Sequence, residues 1–225
     1  MIRLGVNLAA VLSLLSVLSS PLTGRGETFP NGVEFNCYPS QYQGQNAASC
    51  MIGFSVFSFV KANYDTQHEP EWCWAASLEM ALTAEHHKVP QEQIVTIAYG
   101  APVDWSAGVQ TIEDVANALT KDQDGNDIVV TLKDWANDDS SQQIHKIVGS
   151  LSRGHPVLLA LPTHVVVLTA LSYFGTGEDL QEYVFTNGRV QDPWPAGYMG
   201  SPGGSRVMGQ SEYATVQHVW EVNVF

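Results

Sequence analysis

The stretch Gln67-His68-Glu69-Pro70-Glu71-Trp72-Cys73-Trp74-Ala75-Ala76-Ser77-Leu78-Glu79-Met80-Ala81-Leu82 decides how the rest of the chain is read. From Trp74 onward it is rich in strong helix formers with apolar positions at helical spacing, so a helix is expected there, preceded by Pro70 and the acidic Glu69 and Glu71. Cys73 then falls at or just inside the helix N-terminus. Free backbone N–H groups and the positive end of the helix dipole favour a thiolate at such a place, which lowers the pKa of a thiol and makes it a nucleophile. Gln67, six residues upstream, can fold back along an extended arm and aim its side-chain amide at the space beside the sulfur, where an acyl oxyanion would form. Against this stands the plainer reading of a lone thiol as a small buried hydrophobe.

Gln67, five further residues and then Cys73-Trp74-Ala75 with Ser77 resemble the active-site signature of papain-like cysteine proteases. The form Cys-Trp-Ala-Ala-Ser is most similar to their compact bacterial branch, which includes staphopains and effector peptidases of plant pathogens. Residues 68–72 depart from the pattern of plant and lysosomal members, lacking their glycines and extra cysteine. The resemblance covers roughly residues 61–225. It implies a thiol peptidase or a related acyl-transfer enzyme, with Cys73 as nucleophile, Gln67 as oxyanion donor and Trp74 supporting the site.

A cysteine nucleophile needs a base, and the base needs an orienting group. Seven histidines compete for the first role. His86 and His87 close the first helix, where cations complement the C-terminus, and as adjacent residues they face different sides and make a poor metal pair. His68 lies on the Gln67 arm. His145 belongs to a polar–apolar helical stretch, residues 140–152, and is expected to face solvent. His155, His164 and His218 remain, all in strand-like surroundings. Gly154-His155-Pro156 is a strand entrance before Val157-Leu158-Leu159-Ala160-Leu161; Pro162-Thr163 breaks the run, and His164-Val165-Val166-Val167-Leu168 returns as the second arm of a central hairpin. His164 opens that second strand at its end, where a side chain can reach a cleft while the strand is locked in a core. The resemblance implies the same choice: its catalytic His begins a strand that follows a Gly-x-Pro-Val strand, matched here by Gly154-His155-Pro156-Val157. His164 is the expected base.

The orienting group is expected on a later strand. Residues 182–186 alternate toward Asn187-Gly188, a hairpin-turn signal, and Arg189-Val190-Gln191-Asp192-Pro193-Trp194 comes back as the partner strand. Asp192 ends that strand. An ionised carboxylate bonded to the imidazole fixes its tautomer and stabilises the imidazolium, and the ring of Trp194 over that bond would exclude water. The resemblance implies an Asn or Asp in this role with a Trp two residues later, as in Asp192-x-Trp194; a turn-forming Asp-Pro is the alternative.

The remaining chain reads as scaffold. Helices are expected over 91–99 and 111–121, a strand over 128–132, a glycine-rich surface loop over 197–204 and a closing strand over 216–225 with Val216, His218, Trp220 and Val222 on one face. Asp122-Gln123-Asp124-Gly125-Asn126-Asp127 resembles a calcium loop but has Thr131 and Leu132 where the late glutamate is needed, so neither a metal nor a cofactor is expected. Helices first and antiparallel strands afterwards argue for an α+β fold of papain-like type, with Cys73 on the helical side, His164 and Asp192 on the sheet side, and a cleft between them.

Length and composition agree with a folded protein: 225 residues, 44% hydrophobic and 15% charged, enough for one domain or two small ones. The net charge of −13, from 10 Lys+Arg against 23 Asp+Glu, argues against nucleic acid or anionic lipid as a partner. Met1-Ile2-Arg3, the apolar residues 4–18 and Ser19-Ser20-Pro21 read as a secretory signal peptide ending near residue 24, its apolar run being shorter than the ~20 residues that span a bilayer. Export implies an oxidising compartment. Cys37 and Cys50 share a polar, turn-rich segment and are expected to close a local disulfide loop worth roughly 3 kcal/mol, which leaves Cys73 free. The organisation expected is thus a signal peptide, an N-terminal segment over 25–60 and a catalytic domain over 61–225. The function expected is a secreted or periplasmic cysteine peptidase acting on peptide or protein substrates. An amidase or acyltransferase on the same fold, or a secreted binding domain without turnover, are the alternatives.

Overall fold

The computed structural model describes residues 25–29, 32–177, 182–201 and 203–225. In chain order these form β1 (Arg25–Thr28), β2 (Val33–Tyr42), β3 (Gln45–Phe54), α1 (Val56–Asn63), α2 (Cys73–Ala84), α3 (Gln91–Tyr99), α4 (Val109–Ala118), β4 (Val130–Asp134), α5 (Ser140–Ser152), β5 (Val157–Leu161), β6 (His164–Thr176), β7 (Glu182–Asp192), β8 (Gly204–Gly209), α6 (Gln210–Tyr213) and β9 (His218–Val224). The expected signal peptide, residues 1–24, lies outside the described residues. Among the described residues no helix is long and apolar enough to cross a membrane.

The fold is α+β around one antiparallel sheet, ordered β1-β2-β3-β6-β5-β9-β4, with β7 on the other side of β6 and β8 beyond it. The central hairpin forms where the Pro162-Thr163 break places it, with Leu161 opposite His164. β6 is long enough to serve three partners: its first half pairs with β5, its second half with β3, and β7 runs along its opposite edge. Alternation then sorts the side chains. Leu158, Ala160, Val165, Val167, Trp220 and Val222 join a core with α1–α4, whereas Val157, Leu159, Val166, Leu168 and Val219 join a second core with Ile144, Ile147 and Leu151 of α5. A strand buried on both faces can be apolar at every position, which is why 157–161 and 165–168 read as unbroken hydrophobic runs.

Two expectations are corrected. Cys37 and Cys50 are bridged, but in a β-hairpin and not in a turn-rich loop: they stand opposite each other across β2 and β3 with Cα atoms 4.1 Å apart. Gln43 and Gly44 make the turn with φ of 50° and 79°, the paired positive values that suit the twist of a two-residue hairpin. Its polar residues belong to strands with one face in solvent, and β3 pairs with β6, so the 25–54 stretch is part of the same sheet as the rest of the chain. The second correction concerns Asn187-Gly188. No turn occurs there; β7 runs straight through to Asp192, pairing with β6 and β8. Gly188 serves packing, because a Cβ on it would lie 2.6 Å from Cδ1 of Leu168. The 122–127 loop is closed on itself: the Asp122 carboxylate accepts from the N–H groups of Asp124 and Asn126 and from the Asn126 side chain.

Candidate active site

Cys73 is the first residue of α2, a helix buried from Trp74 to Leu82. The approach to it is clamped by one loop. Trp72 Nε1 donates to Val103 O at 2.8 Å, Trp74 Nε1 to Trp105 O at 3.3 Å, and Asp104 Oδ1 accepts from the Glu71 N–H at 2.8 Å. One turn into the helix, Ser77 Oγ donates to Val165 O at 2.9 Å, and the Val165 N–H hydrogen-bonds the Cys73 sulfur. The nucleophile helix is thereby stitched to the residue that follows His164.

Burial pushes the Cys73 thiol up to about 11; the N–H groups of Val165 and Trp74 pull the other way, and the charges of Glu71 and Asp192 add to the rise. This corrects the expected contribution of the helix terminus, which does not by itself bring the thiol pKa down: the sulfur is desolvated, and desolvation penalises the thiolate more than two N–H groups reward it. A thiolate here needs a cation beside it.

His164 and Asp192 are both buried, and Nε2 of His164 stands 2.8 Å from Oδ1 of Asp192. The other ring nitrogen, Nδ1, is buried with no hydrogen-bond partner. Trp194 lies over the imidazole with centroids 4.0 Å apart and 31° between planes, while its backbone N–H donates to Asp192 Oδ1 at 3.0 Å. Burial would raise the Asp192 pKa, but the bonds and charges of His164 and Arg206, with the Trp194 N–H, outweigh it and hold the carboxyl down to about 2. The remaining oxygen, Oδ2, accepts from Arg206 Nε at 2.8 Å and from Ser201 Oγ at 3.4 Å. A cavity of about 350 Å³ opens beside His164, Asp192, Trp194, Thr163 and Arg206.

The other strand histidines are engaged elsewhere. His155 Nδ1 lies 2.5 Å from Glu85, and His218 Nδ1 lies 2.6 Å from Asp134 with its ring stacked on Trp220. His68 pairs with Glu92 at 2.7 Å, a bond that raises its pKa, and His87 pairs with Asp122 at 3.1 Å. Gln67 is brought to the Asp192 segment by its backbone, whose N–H donates to Pro193 O at 2.9 Å. Its amide is aimed differently from the expectation: Nε2 donates to Glu69 O at 2.9 Å and Pro70 O at 2.6 Å, and Oε1 is buried without a partner. Both amide hydrogens are thus spent within the arm. Tyr64 adds a second tie, its hydroxyl donating to Asp192 O at 3.1 Å. Sequence reasoning missed Arg206, Tyr64 and Gln91, whose amide grips the arm through His68 N and Thr66 O, because each acts across 14 or more residues with no local pattern to mark it.

Among solved structures the chain is similar to one titled "Crystal structure of UfSP from C.elegans", at 14% identity and a TM-score of 0.42, over 93% of this chain and 35% of that one. The chain spans about a third of the length of that neighbour. No curated protein matches it. The family model described as "Peptidase_C39 like family" matches residues 59–221, which hold Gln67, Cys73, His164 and Asp192. With that match covering most of its length, the chain belongs to the Peptidase_C39-like family.

Proposed function

We propose that the protein is an exported peptidase that cleaves peptide bonds through Cys73, His164 and Asp192. The observation that carries the reading is the buried His164–Asp192 bond, made through Nε2, which leaves Nδ1 unpartnered next to the residue that touches the Cys73 sulfur. With Nε2–H held by Asp192, Nδ1 is the basic nitrogen and takes the thiol proton, so the thiolate forms beside an imidazolium and not in isolation. The thiolate attacks the scissile carbonyl. His164 then hands the proton to the departing amine, and a water deprotonated by the same nitrogen hydrolyses the thioester.

In this reaction the first backbone N–H groups of α2 supply one donor to the developing oxyanion, and Gln67 supplies a second by exchanging one of its two carbonyl bonds for a bond to the charged oxygen. Trp194 covers the His164–Asp192 bond against water, and Trp74 fixes the helix that bears the sulfur. The apolar start of the sequence and the Cys37–Cys50 bridge support export to the periplasm or beyond. The Cys-Trp-Ala-Ala-Ser motif, which resembles that of compact bacterial members such as staphopains, supports kinship with that branch. The test is incubation of the mature protein and its Cys73→Ala variant with a peptide library, followed by mass spectrometry. New termini produced by the parent and absent with Cys73→Ala support the reading; equal or no cleavage by both overturns it.

A further inference from the structure

Beyond the three groups of the proposed reaction, on which this inference rests, the Asp192 carboxylate has a second, elaborately held neighbour. Arg206, on β8, gives Nε to Asp192 Oδ2 at 2.8 Å, and turns both terminal nitrogens onto Glu212 of α6, at 2.9 Å to Oε2 and 2.7 Å to Oε1. The guanidinium spends one edge on Asp192 and its fork on Glu212. Its side chain is 16% exposed, Asp192 2% and Glu212 32%, so the chain of charges runs from the buried site outward to solvent. We propose that Arg206, clamped by Glu212, is a positioning residue that fixes the rotamer of Asp192 and sets how strongly its charge acts on His164.

Geometry supplies the first half of the argument. A carboxylate with one oxygen on an imidazole can still swing about its χ2, which is a soft torsion. With Oδ1 on His164 and the Trp194 N–H, and Oδ2 on Arg206 and Ser201, both oxygens are pinned and the imidazole plane is pinned with them. Such outer partners are worth about 10–100-fold where they have been removed from ligand histidines.

Charge supplies the second half. Around His164 and Asp192 stand Arg206 from β8, Glu212 from α6, Cys73 from α2 with Glu71 just before it, and the Tyr64 hydroxyl on the Asp192 carbonyl. Arg206 opposes the pull of Asp192 on a proton at His164, and Glu212 offsets Arg206. Removing the cation leaves the site more negative. An imidazolium is then favoured and a thiolate disfavoured, so both limbs of the thiolate–imidazolium pH profile move to higher pH. Removing Glu212 acts in the opposite sense and, being farther away, by less.

The experiment is the rate of Cys73 alkylation by iodoacetamide against pH, which needs no substrate. It is run on the parent and on Arg206→Gln, Arg206→Lys, Glu212→Gln and His164→Ala, each checked for native circular dichroism. Arg206→Gln should raise both limbs by about 0.5 pH unit or more, and Glu212→Gln should lower them by a smaller amount. Arg206→Lys, which keeps the charge but has no fork, should hold the limbs near the parent's. Unmoved limbs in both neutral variants, or shifts of the same sign, overturn the proposal, and Glu212→Gln decides alone if Arg206→Gln does not fold. An alkylation profile unchanged by His164→Ala would instead overturn the catalytic reading beneath it.

Discussion

His164 is the group whose surroundings leave a nitrogen free for chemistry, since Nε2 is held by Asp192 and Nδ1 is buried without a partner. His155, nine residues earlier, is occupied by Glu85 at 2.5 Å. His164→Ala should therefore remove nearly all turnover, while His155→Ala should leave most of it; kcat/KM on a cleaved peptide from the library decides, and inactivation by His155→Ala alone would refute the assignment. Gln67 tests the oxyanion. Gln67→Ala should cost about 10²-fold in kcat, near the lower end for loss of one such donor, because the amide must first leave Glu69 O or Pro70 O. Alkylation by iodoacetamide builds no tetrahedral oxyanion and should proceed near the parent rate. Equal losses in both rates would mean that Gln67 only shapes the arm.

At the scale of elements, the β2–β3 hairpin and the nucleophile helix are separable. Cys37→Ser with Cys50→Ser should lower the urea midpoint by the equivalent of roughly 3 kcal/mol, since the bridge closes a short loop of the unfolded chain. Cys73 alkylation in native buffer should be unchanged; a changed rate would show that the hairpin shapes the site through β3 and β6. What the sequence revealed follows the same division. The α2 helix and the 157–168 hairpin, with the positions of Cys73 at a helix start, His164 at a strand start and Asp192 at a strand end, were legible because their signals are local: helix formers after Cys73, a Pro-Thr break before His164, Asp192 two residues before Trp194. β2 and β3 were not, because strands with a solvent face and a Gln-Gly turn carry the composition of a loop. Gly188 misled because a glycine needed for the approach of Leu168 looks, from sequence, like a glycine needed for a turn. The raised Cys73 thiol was beyond reach for another reason: the helix terminus is visible along the chain, whereas the desolvation that outweighs it comes from packing against a strand some 90 residues away.

The whole molecule assembles the site from both sides of the sheet–helix boundary, so the charge of Asp192 is also a stability term. Its carboxyl is held at about 2 in the folded protein, against 3.8 as the ordinary value. A depressed carboxyl contributes stability that is fully present above the unfolded value and is lost as pH falls through the folded one, a window here between about pH 4 and pH 2. Asp192 is 2% exposed, and its shift corresponds to about 2 kcal/mol at neutral pH. Asp122 is likewise held down to about 2, by the Asn126 side chain, burial notwithstanding, so acid unfolding of the parent alone would mix the two. The difference between parent and Asp192→Asn removes that ambiguity, because Asp122 is the same in both. Urea unfolding at a series of pH values should show a gap that is constant from pH 7 to about pH 5 and narrows by about 2 kcal/mol toward pH 2; whatever gap persists there reports the hydrogen bonds that an amide cannot replace. A gap independent of pH would mean that the buried His164–Asp192–Arg206 set gains nothing from the carboxylate's ionisation, and that Asp192 serves the fold by shape alone.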